Sequence, residues 1–218
     1  MKHRPYGLYE KYFKRPQDFL CALFGIVLLS PLMLVTALLV RLKLGAPVLF
    51  MQERAGKDGK PFKLIKFRSM LPPKDGVFDP AQDEARLTSF GKKLRAASLD
   101  EIPELINILK GDMSVVGPRP LLMRYLERYD SHQARRSEVR PGLTGLSQVS
   151  GRNSLSWEER FDLDVEYVDH ITLIGDWKII LKTVGTVLKR EGISAEGAAT
   201  MGEFMGSDPA QTNKGGDK

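Results

Sequence analysis

The residues best suited to chemistry are an adjacent acid pair, Asp100-Glu101, within Ser98-Leu99-Asp100-Glu101-Ile102-Pro103. Lys92, Lys93 and Arg95 precede it, and the apolar run Leu105-Ile106-Asn107-Ile108-Leu109 follows. The spacing predicts a helix start. Either Ser98 caps it with Glu101 as its box partner, or Asp100 caps it and Pro103 falls in the first turn. Both readings bring the carboxylates to the positive end of the helix dipole, which favours their ionised form and leaves backbone N–H groups for a phosphate. An anionic nucleophile beside an anion site is one chemistry this stretch supports. Plain capping of a surface helix is the other, and the pair alone does not choose between them.

Cationic partners are spread along the chain. Lys66 and Arg68 fall on one side of a predicted strand, opposite Ile65 and Phe67, either as a solvated face or as phosphate or headgroup contacts. Arg119 stands in Gly117-Pro118-Arg119-Pro120, where flanking prolines present its guanidinium stiffly, as a two-pronged phosphate contact requires. A rigid turn with a solvent-facing arginine is the plainer alternative. The glycine-punctuated stretch from Val139 to Asn153 contains Arg140, Thr144, Ser147, Gln148, Arg152 and Asn153, and such loops let backbone approach a nucleotide or phosphate closely. It carries no Walker or dinucleotide fingerprint. His3, His132 and His170 have no zinc-ligand spacing, and a single cysteine, Cys21, excludes an intramolecular disulfide.

The elements that must position these groups begin with an apolar segment. Phe19 to Val40 runs 22 residues without a charge. As a straight helix it would measure roughly 33 Å against a hydrocarbon core of about 30 Å. Arg41-Leu42-Lys43 follows in place of a small-residue cleavage site, so a signal peptide is not expected. Ser30-Pro31 interrupts the run, since proline removes one helix hydrogen bond and Ser30 can satisfy the carbonyl it frees. Basic residues flank both ends, Lys14 and Arg15 before, Arg41 and Lys43 after. Equal flanks with a central break favour a re-entrant hairpin, both ends on one side, over a kinked spanning helix. Residues 1–70 hold 13 of the 33 Lys and Arg but four of the 27 acids, a local +9, whereas the remainder sums to −3. Because this charge surrounds an apolar run, lipid is the simpler anionic partner and nucleic acid is not expected.

After Val48 the pattern alternates, and Lys57-Asp58-Gly59-Lys60 marks a hairpin. Residues 71–87 suggest a surface loop, and Phe90–Ala97 a short helix. The helix after the acid pair closes at Lys110-Gly111, and Ser114-Val115-Val116 forms a short strand. Leu121 to Glu138 suggests one helix. Ser156-Trp157-Glu158-Glu159 forms a capping box for a helix to about His170, and a last helix runs from Asp176 to Arg190 with an apolar stripe for packing or membrane contact. The expected fold is α+β: a mostly helical, membrane-associated domain with a small β-hairpin or sheet and a re-entrant N-terminal helix broken at Ser30-Pro31.

From Lys14 to Arg190 the chain resembles the monotopic bacterial phosphoglycosyl transferases, also called bacterial sugar transferases. The matching pieces are Lys14-Arg15 with Asp18, Ser30-Pro31, Lys66 through Met70, Arg95 with Ser98 through Pro103, Gly111 through Ser114, Gly117 through Pro120, Arg140 through Gly145, and Gly151-Arg152-Asn153. The resemblance implies transfer of a sugar phosphate from a UDP-sugar to a polyprenyl phosphate, with UMP released and magnesium required. It implies Asp100 as nucleophile and Glu101 as its acidic partner, both also assigned to the metal. Lys66, Arg95 and Arg119 would hold phosphate; Arg140, Thr144, Arg152 and Asn153 the nucleotide sugar; Lys14, Arg15, Ser30 and Pro31 the membrane. The expected division is 1–43 for the interfacial segment and membrane helix, 44–191 for the catalytic domain, and 192–218 for a partly disordered tail. The setting would be the cytoplasmic face of the bacterial inner membrane, among its phospholipids, with a homodimer left open. Pro16, Glu104 and Ser147 depart from the family pattern, Glu104 standing where many relatives have glutamine. Ile193-Ser194-Ala195-Glu196-Gly197 is similar to members that transfer acetylated amino sugars such as diacetylbacillosamine phosphate. A glycosyltransferase releasing UDP and a non-catalytic membrane scaffold are the competing expectations.

Overall fold

The structure is a computed structural model that describes residues 3–72, 83–151, 154–189 and 203–206. It is organised along one helix, α1 (Lys14–Leu44), entered through a π-helical turn at Tyr9–Phe13. The helix continues across Pro31, where the sequence predicts an interruption. Proline at 31 leaves the Val27 carbonyl without its N–H partner. The Ser30 hydroxyl donates to that carbonyl at 2.9 Å, so the lost bond is replaced within the helix. The span Tyr9–Leu44 has a mean hydropathy of 2.6 and is long and apolar enough to cross a membrane.

One stripe of α1 is buried, at Lys14, Asp18, Ala22, Thr36, Val40 and Leu44, largely at four-residue spacing. Its first half packs with Leu64, Leu105, Ile108 and Met113; its second half packs with Phe67 and Leu94. Both ends of the helix therefore rest on the same folded domain. Polar groups fasten the first half. Ser114 Oγ and the Val115 N–H donate to the Asp18 carboxylate at 2.7 and 3.0 Å. Lys14 Nζ donates to Asp176 Oδ2 at 2.6 Å and to the Val116 carbonyl at 3.1 Å.

Strands β1 (Leu49–Ala55) and β2 (Pro61–Phe67) form an antiparallel hairpin in register Leu49↔Phe67 to Ala55↔Pro61. Asp58 and Gly59 take φ of 57° and 69° at the tip, the left-handed geometry that an Asp-Gly pair accepts. A single turn, α2 (Asp83–Arg86), precedes α3 (Ser89–Ala96), which is capped by Thr88 through the Gly91 N–H at 3.1 Å. Glycine at 91 is required by packing, because a Cβ there would lie 1.9 Å from the Ser69 carbonyl oxygen. After the acid pair come α4 (Glu104–Lys110) and β3 (Ser114–Val116), the latter paired in parallel with β4 (Gly142–Thr144). Buried Asn107 of α4 accepts from the Ile65 N–H at 3.0 Å and donates to the Lys63 carbonyl at 2.8 Å, supplying β2 with the edge partners a strand would give.

The single helix expected over Leu121–Glu138 is instead two 3₁₀ segments, Met123–Arg128 and Gln133–Glu138. Asp130 separates them: its carboxylate takes the N–H groups of His132 and Gln133, both at 2.8 Å, in competition with helical bonding. α5 (Leu146–Ser150) leads to α6 (Trp157–Asp169), where the Ser156–Glu159 capping box forms as predicted. α7 (Leu173–Lys189) starts earlier than Asp176, because Thr172 Oγ1 already accepts the Gly175 N–H at 3.0 Å. The fold is thus a mostly helical α+β arrangement with two two-stranded sheets and a long apolar N-terminal helix.

Tyr9 and Tyr167 hydroxyls also donate to Asp176, at 2.7 and 2.9 Å, so Lys14 is the cation of a buried network. Lys14→Met strands the Asp176 charge, at a cost of about 3 kcal/mol. In detergent the melting temperature is expected to fall by roughly 6–12 °C for a domain of this size; an unchanged value would show that the pair does not hold α1 to α7.

Candidate active site

The acid pair sits in a 3₁₀ turn, Leu99–Glu101, between α3 and α4. Neither predicted cap forms. Ser98 adopts a left-handed φ of 52° and its N–H closes α3 on the Arg95 carbonyl at 2.9 Å, while α4 begins only at Glu104, after Pro103. Two apolar neighbours fix the turn. Leu99 packs with the cluster of Val40, Leu44, Phe67 and Leu94, and Ile102 packs with that of Ala22, Leu64, Leu105 and Ile108. Asp100-Glu101 is thereby bracketed by side chains that belong to the two halves of α1's packing surface.

Two elements converge on Glu101. Lys66 Nζ from β2 and Arg119 Nη2 from the Gly-Pro-Arg-Pro turn donate to the same oxygen, Oε1, at 2.8 and 2.7 Å. Burial alone would raise the Glu101 carboxyl, but Arg119 and Lys66 hold it well below the ordinary carboxylate range. Its charge in turn raises Arg119 above the usual guanidinium value, and together with Glu104 it raises Lys66 despite that amine's burial. Asp100 is 7% exposed, and its carboxylate accepts no hydrogen bond among the described residues. Burial and then the Glu101 charge raise its pKa, with Lys66, Arg95 and Arg119 opposing. The result is a buried carboxyl group whose lone pairs no described residue occupies, beside two fixed cations.

Glu104, in sequence only a departure from the family pattern, completes the cluster. Its Oε1 lies 3.0 Å from Lys66 Nζ without the alignment for a hydrogen bond. Burial pushes its carboxyl up to about 7, Lys66 opposing and Glu101 adding. The Glu101–Glu104 spacing of three, which puts both on one helical face, was the signal for it. Arg54 was also missed; with Lys66, Glu104, Arg119, Leu64, Pro120 and Leu121 it lines a cavity of about 50 Å³, room for ordered water. Among the described residues no group of three or more His, Cys, Asp or Glu could hold a metal ion. A magnesium ion bound through one or two carboxylates and substrate phosphates would have Asp100 and Glu101 as its candidate carboxylates, of whose oxygens Lys66 and Arg119 bond only Glu101 Oε1.

A family model described as Bacterial sugar transferase matches residues 9–190. The chain is 50% identical over 194 residues to "Uncharacterized sugar transferase EpsL" of Bacillus subtilis, across 89% of this chain and 96% of that protein. The chain belongs to the bacterial sugar transferase family. Among its relatives, the UDP-glucose:undecaprenyl-phosphate glucose-1-phosphate transferase of Caulobacter vibrioides is 40% identical over 185 residues, covering 80% of this chain and 69% of that one. Undecaprenyl-phosphate galactose phosphotransferase of Salmonella typhimurium is 38% identical over 200 residues, covering 84% of this chain and 42% of that longer protein.

In this sugar transferase the remaining predicted residues separate into groups. Arg95 donates to Ser69 Oγ at 2.9 Å and to Met70 Sδ, at the edge of the Asp100 turn. Arg140 is not brought to the acid pair: its Nε donates to the Gly111 carbonyl at 2.9 Å, at the C-terminal end of α4. Thr144 is buried, with its hydroxyl 2.6 Å from that of Thr183 on α7. Arg152, Asn153 and the Ile193–Gly197 motif lie outside the described residues. Lys14 and Arg15, expected at the lipid surface, turn inward instead. Lys14 pairs with Asp176, and Arg15 donates to the Ile108 and Leu109 carbonyls at 2.7 and 3.0 Å. Arg68 likewise donates to the Leu44 and Ala46 carbonyls at the end of α1.

Glu104 gives the cluster a pH signature. Its folded pKa of about 7 lies above the ordinary 4.5, so the native state binds its proton more tightly than the unfolded chain. The stability this contributes is complete below pH 4.5 and is lost as pH rises through 7. Glu104→Gln is expected to abolish that part of the decline in melting temperature between pH 5.5 and pH 8.5, about 1.5 units on each side of the folded pKa. Parallel pH curves for the two proteins would contradict the assignment.

Proposed function

We propose that this sugar transferase moves a sugar 1-phosphate from a UDP-sugar to a polyprenyl phosphate, with Asp100 as the nucleophile. The observation that carries the reading is the Asp100 carboxylate itself, buried, without a hydrogen bond among the described residues, and next to a glutamate that accepts from Lys66 and Arg119 through one oxygen. The printed names of the Caulobacter and Salmonella relatives support the reaction class.

Asp100 attacks the phosphorus that carries the sugar; the phosphoanhydride bond breaks and UMP leaves with its electron pair. An oxygen of the polyprenyl phosphate then attacks the same phosphorus, the aspartyl–phosphate bond breaks, and Asp100 is regenerated. Splitting the transfer this way lets one site serve two anionic substrates in turn. Lys66 and Arg119 are placed to neutralise phosphate charge that develops in both displacements. Exchange of Glu101 for substrate phosphate as their partner would let the cations follow the reacting group. Magnesium, when bound, would neutralise pyrophosphate charge, with Asp100 and Glu101 as its protein carboxylates.

The lipid acceptor requires the acid pair to lie near the headgroups. Exposed Phe24, Val27, Leu28, Leu34, Val35 and Leu38 on α1 suit the hydrocarbon. Ile174, Trp177, Leu181 and Val184, exposed along one side of α7, suit an interface. Both ends of α1 rest on one domain, which supports a re-entrant placement over a spanning one, and we assign that domain to the cytoplasmic face of the bacterial inner membrane. For the sugar, the Ile193–Gly197 resemblance favours an N-acetylated amino sugar, against the glucose and galactose of the named relatives.

The test is product analysis. Purified protein with magnesium, undecaprenyl phosphate and a panel of UDP-glucose, UDP-galactose and UDP-N-acetylated amino sugars is expected to form UMP, fastest with an acetylated sugar. UDP as the nucleotide product would identify a glycosyltransferase and overturn the reading; UMP fastest with glucose or galactose would overturn the sugar assignment alone.

A further inference from the structure

The tail segment 203–206 occupies a built site on the domain surface. Phe204 is 2% exposed, and its ring centroid lies 4.9 Å from that of Phe161, 5.7 Å from Trp157, 5.9 Å from Tyr125 and 6.0 Å from Tyr129. Its N–H donates to the Tyr125 hydroxyl at 3.2 Å, and its carbonyl accepts from Arg128. Glu203 adds charge recognition, its two oxygens accepting from Arg124 and Arg128, each at 2.8 Å. An acidic residue followed by an aromatic is thus read by two arginines and a four-ring cage. Nothing in the transfer chemistry uses these groups.

The cage is joined to the active site by one side chain. Arg136, which is buried, lies over the Phe161 and Tyr129 rings at 5.6 and 5.8 Å and pairs with Asp164 at 2.7 Å. The same guanidinium donates to the Arg119 carbonyl at 2.7 Å, and the Arg119 side chain grips Glu101. Phe204 packs against the two rings that Arg136 stacks on. Removing it leaves an apolar void beside those two rings and takes away contacts that fix them.

We propose that Glu203-Phe204 is an intramolecular strap whose docking in the aromatic cage positions Arg119, through Arg136, for the phosphate chemistry. Phe204 is a positioning residue in this scheme and touches no substrate. The activity part of the inference rests on the proposed transfer reaction; the docking part does not.

The experiment uses the full chain in detergent. Phe204→Ala is expected to leave the protein folded and to lower kcat/KM for UMP formation by about tenfold, the effect of a loss of about 1.4 kcal/mol in transition-state positioning. A synthetic peptide of residues 200–208 added to that variant should restore the rate and shift Trp157 fluorescence, while the same peptide with alanine at position 204 should do neither. Glu203→Arg, at a partly exposed site where folding is not threatened, should weaken docking in the same direction. Rescue in trans separates positioning from general destabilisation, which an added peptide does not repair. Full activity in both variants, or a lowered rate that the peptide leaves unchanged, would overturn the proposal. Peptide-dependent fluorescence without any UMP formed by the unaltered protein would instead count against the transfer reaction.

Discussion

One carboxylate oxygen organises this molecule. Glu101 Oε1 accepts from a lysine on β2 and an arginine on the turn after β3, and neither charge reaches it unless three separate stretches of chain come together. A buried charge is tolerated only when it is paired, and breaking such a pair by removing one partner costs about 3–5 kcal/mol. Much of the remaining architecture holds the three stretches in register. Asn107 fastens β2 to α4 through two backbone groups. Arg136 fastens the Arg119 carbonyl to α6 through Asp164. Pro118 and Pro120 restrict the backbone between them. Asp100, one residue from this clamp, inherits a fixed position, and among the described residues its own oxygens accept no hydrogen bond.

The long apolar helix belongs to the same design. Its inner stripe meets Leu99 and Ile102 on either side of the acid pair, so the helix whose outer face is apolar also locates Asp100 through its inner one. Burial supplies the opposing electrostatic pressures: it raises Asp100 and Glu104, while Glu101, under the same burial, is held down by two cations. Three carboxylates within five residues are consequently pushed in opposite directions, Asp100 and Glu104 up and Glu101 down. Their environments, not their identities, divide the roles.

Much of this was legible in the sequence where the signal was local. Asp58-Gly59 encodes its hairpin, Ser156 and Glu159 encode their box, and Gly111 ends α4, because each of those geometries is decided within a few residues. Lys66 and Arg119 could be singled out by residue type and by the prolines around Arg119. Their convergence on one oxygen could not, since it depends on how β2 and the 117–120 turn pack. The failures share that origin. Ser98 was read as a cap, but closing α3 leaves it left-handed. Lys14 and Arg15 were read as lipid contacts from the flank rule, yet the domain offers Asp176 and the end carbonyls of α4. Arg140 and Thr144 fell in a stretch that suggested nucleotide binding, and their bonds here run to the Gly111 carbonyl and the Thr183 hydroxyl. Glu104 had a spacing signal that was passed over, whereas the docking of Phe204 depends on rings from Tyr125 to Phe161 and leaves no trace in the tail's own pattern.

The most direct measurement is the intact mass of the protein after incubation with the UDP-sugar and magnesium in the absence of lipid acceptor. A nucleophilic Asp100 predicts a mass increase of one phosphosugar that maps to the peptide containing Asp100, disappears on addition of polyprenyl phosphate, and is absent in Asp100→Asn. An adduct on another residue, or full turnover by Asp100→Asn, would contradict it.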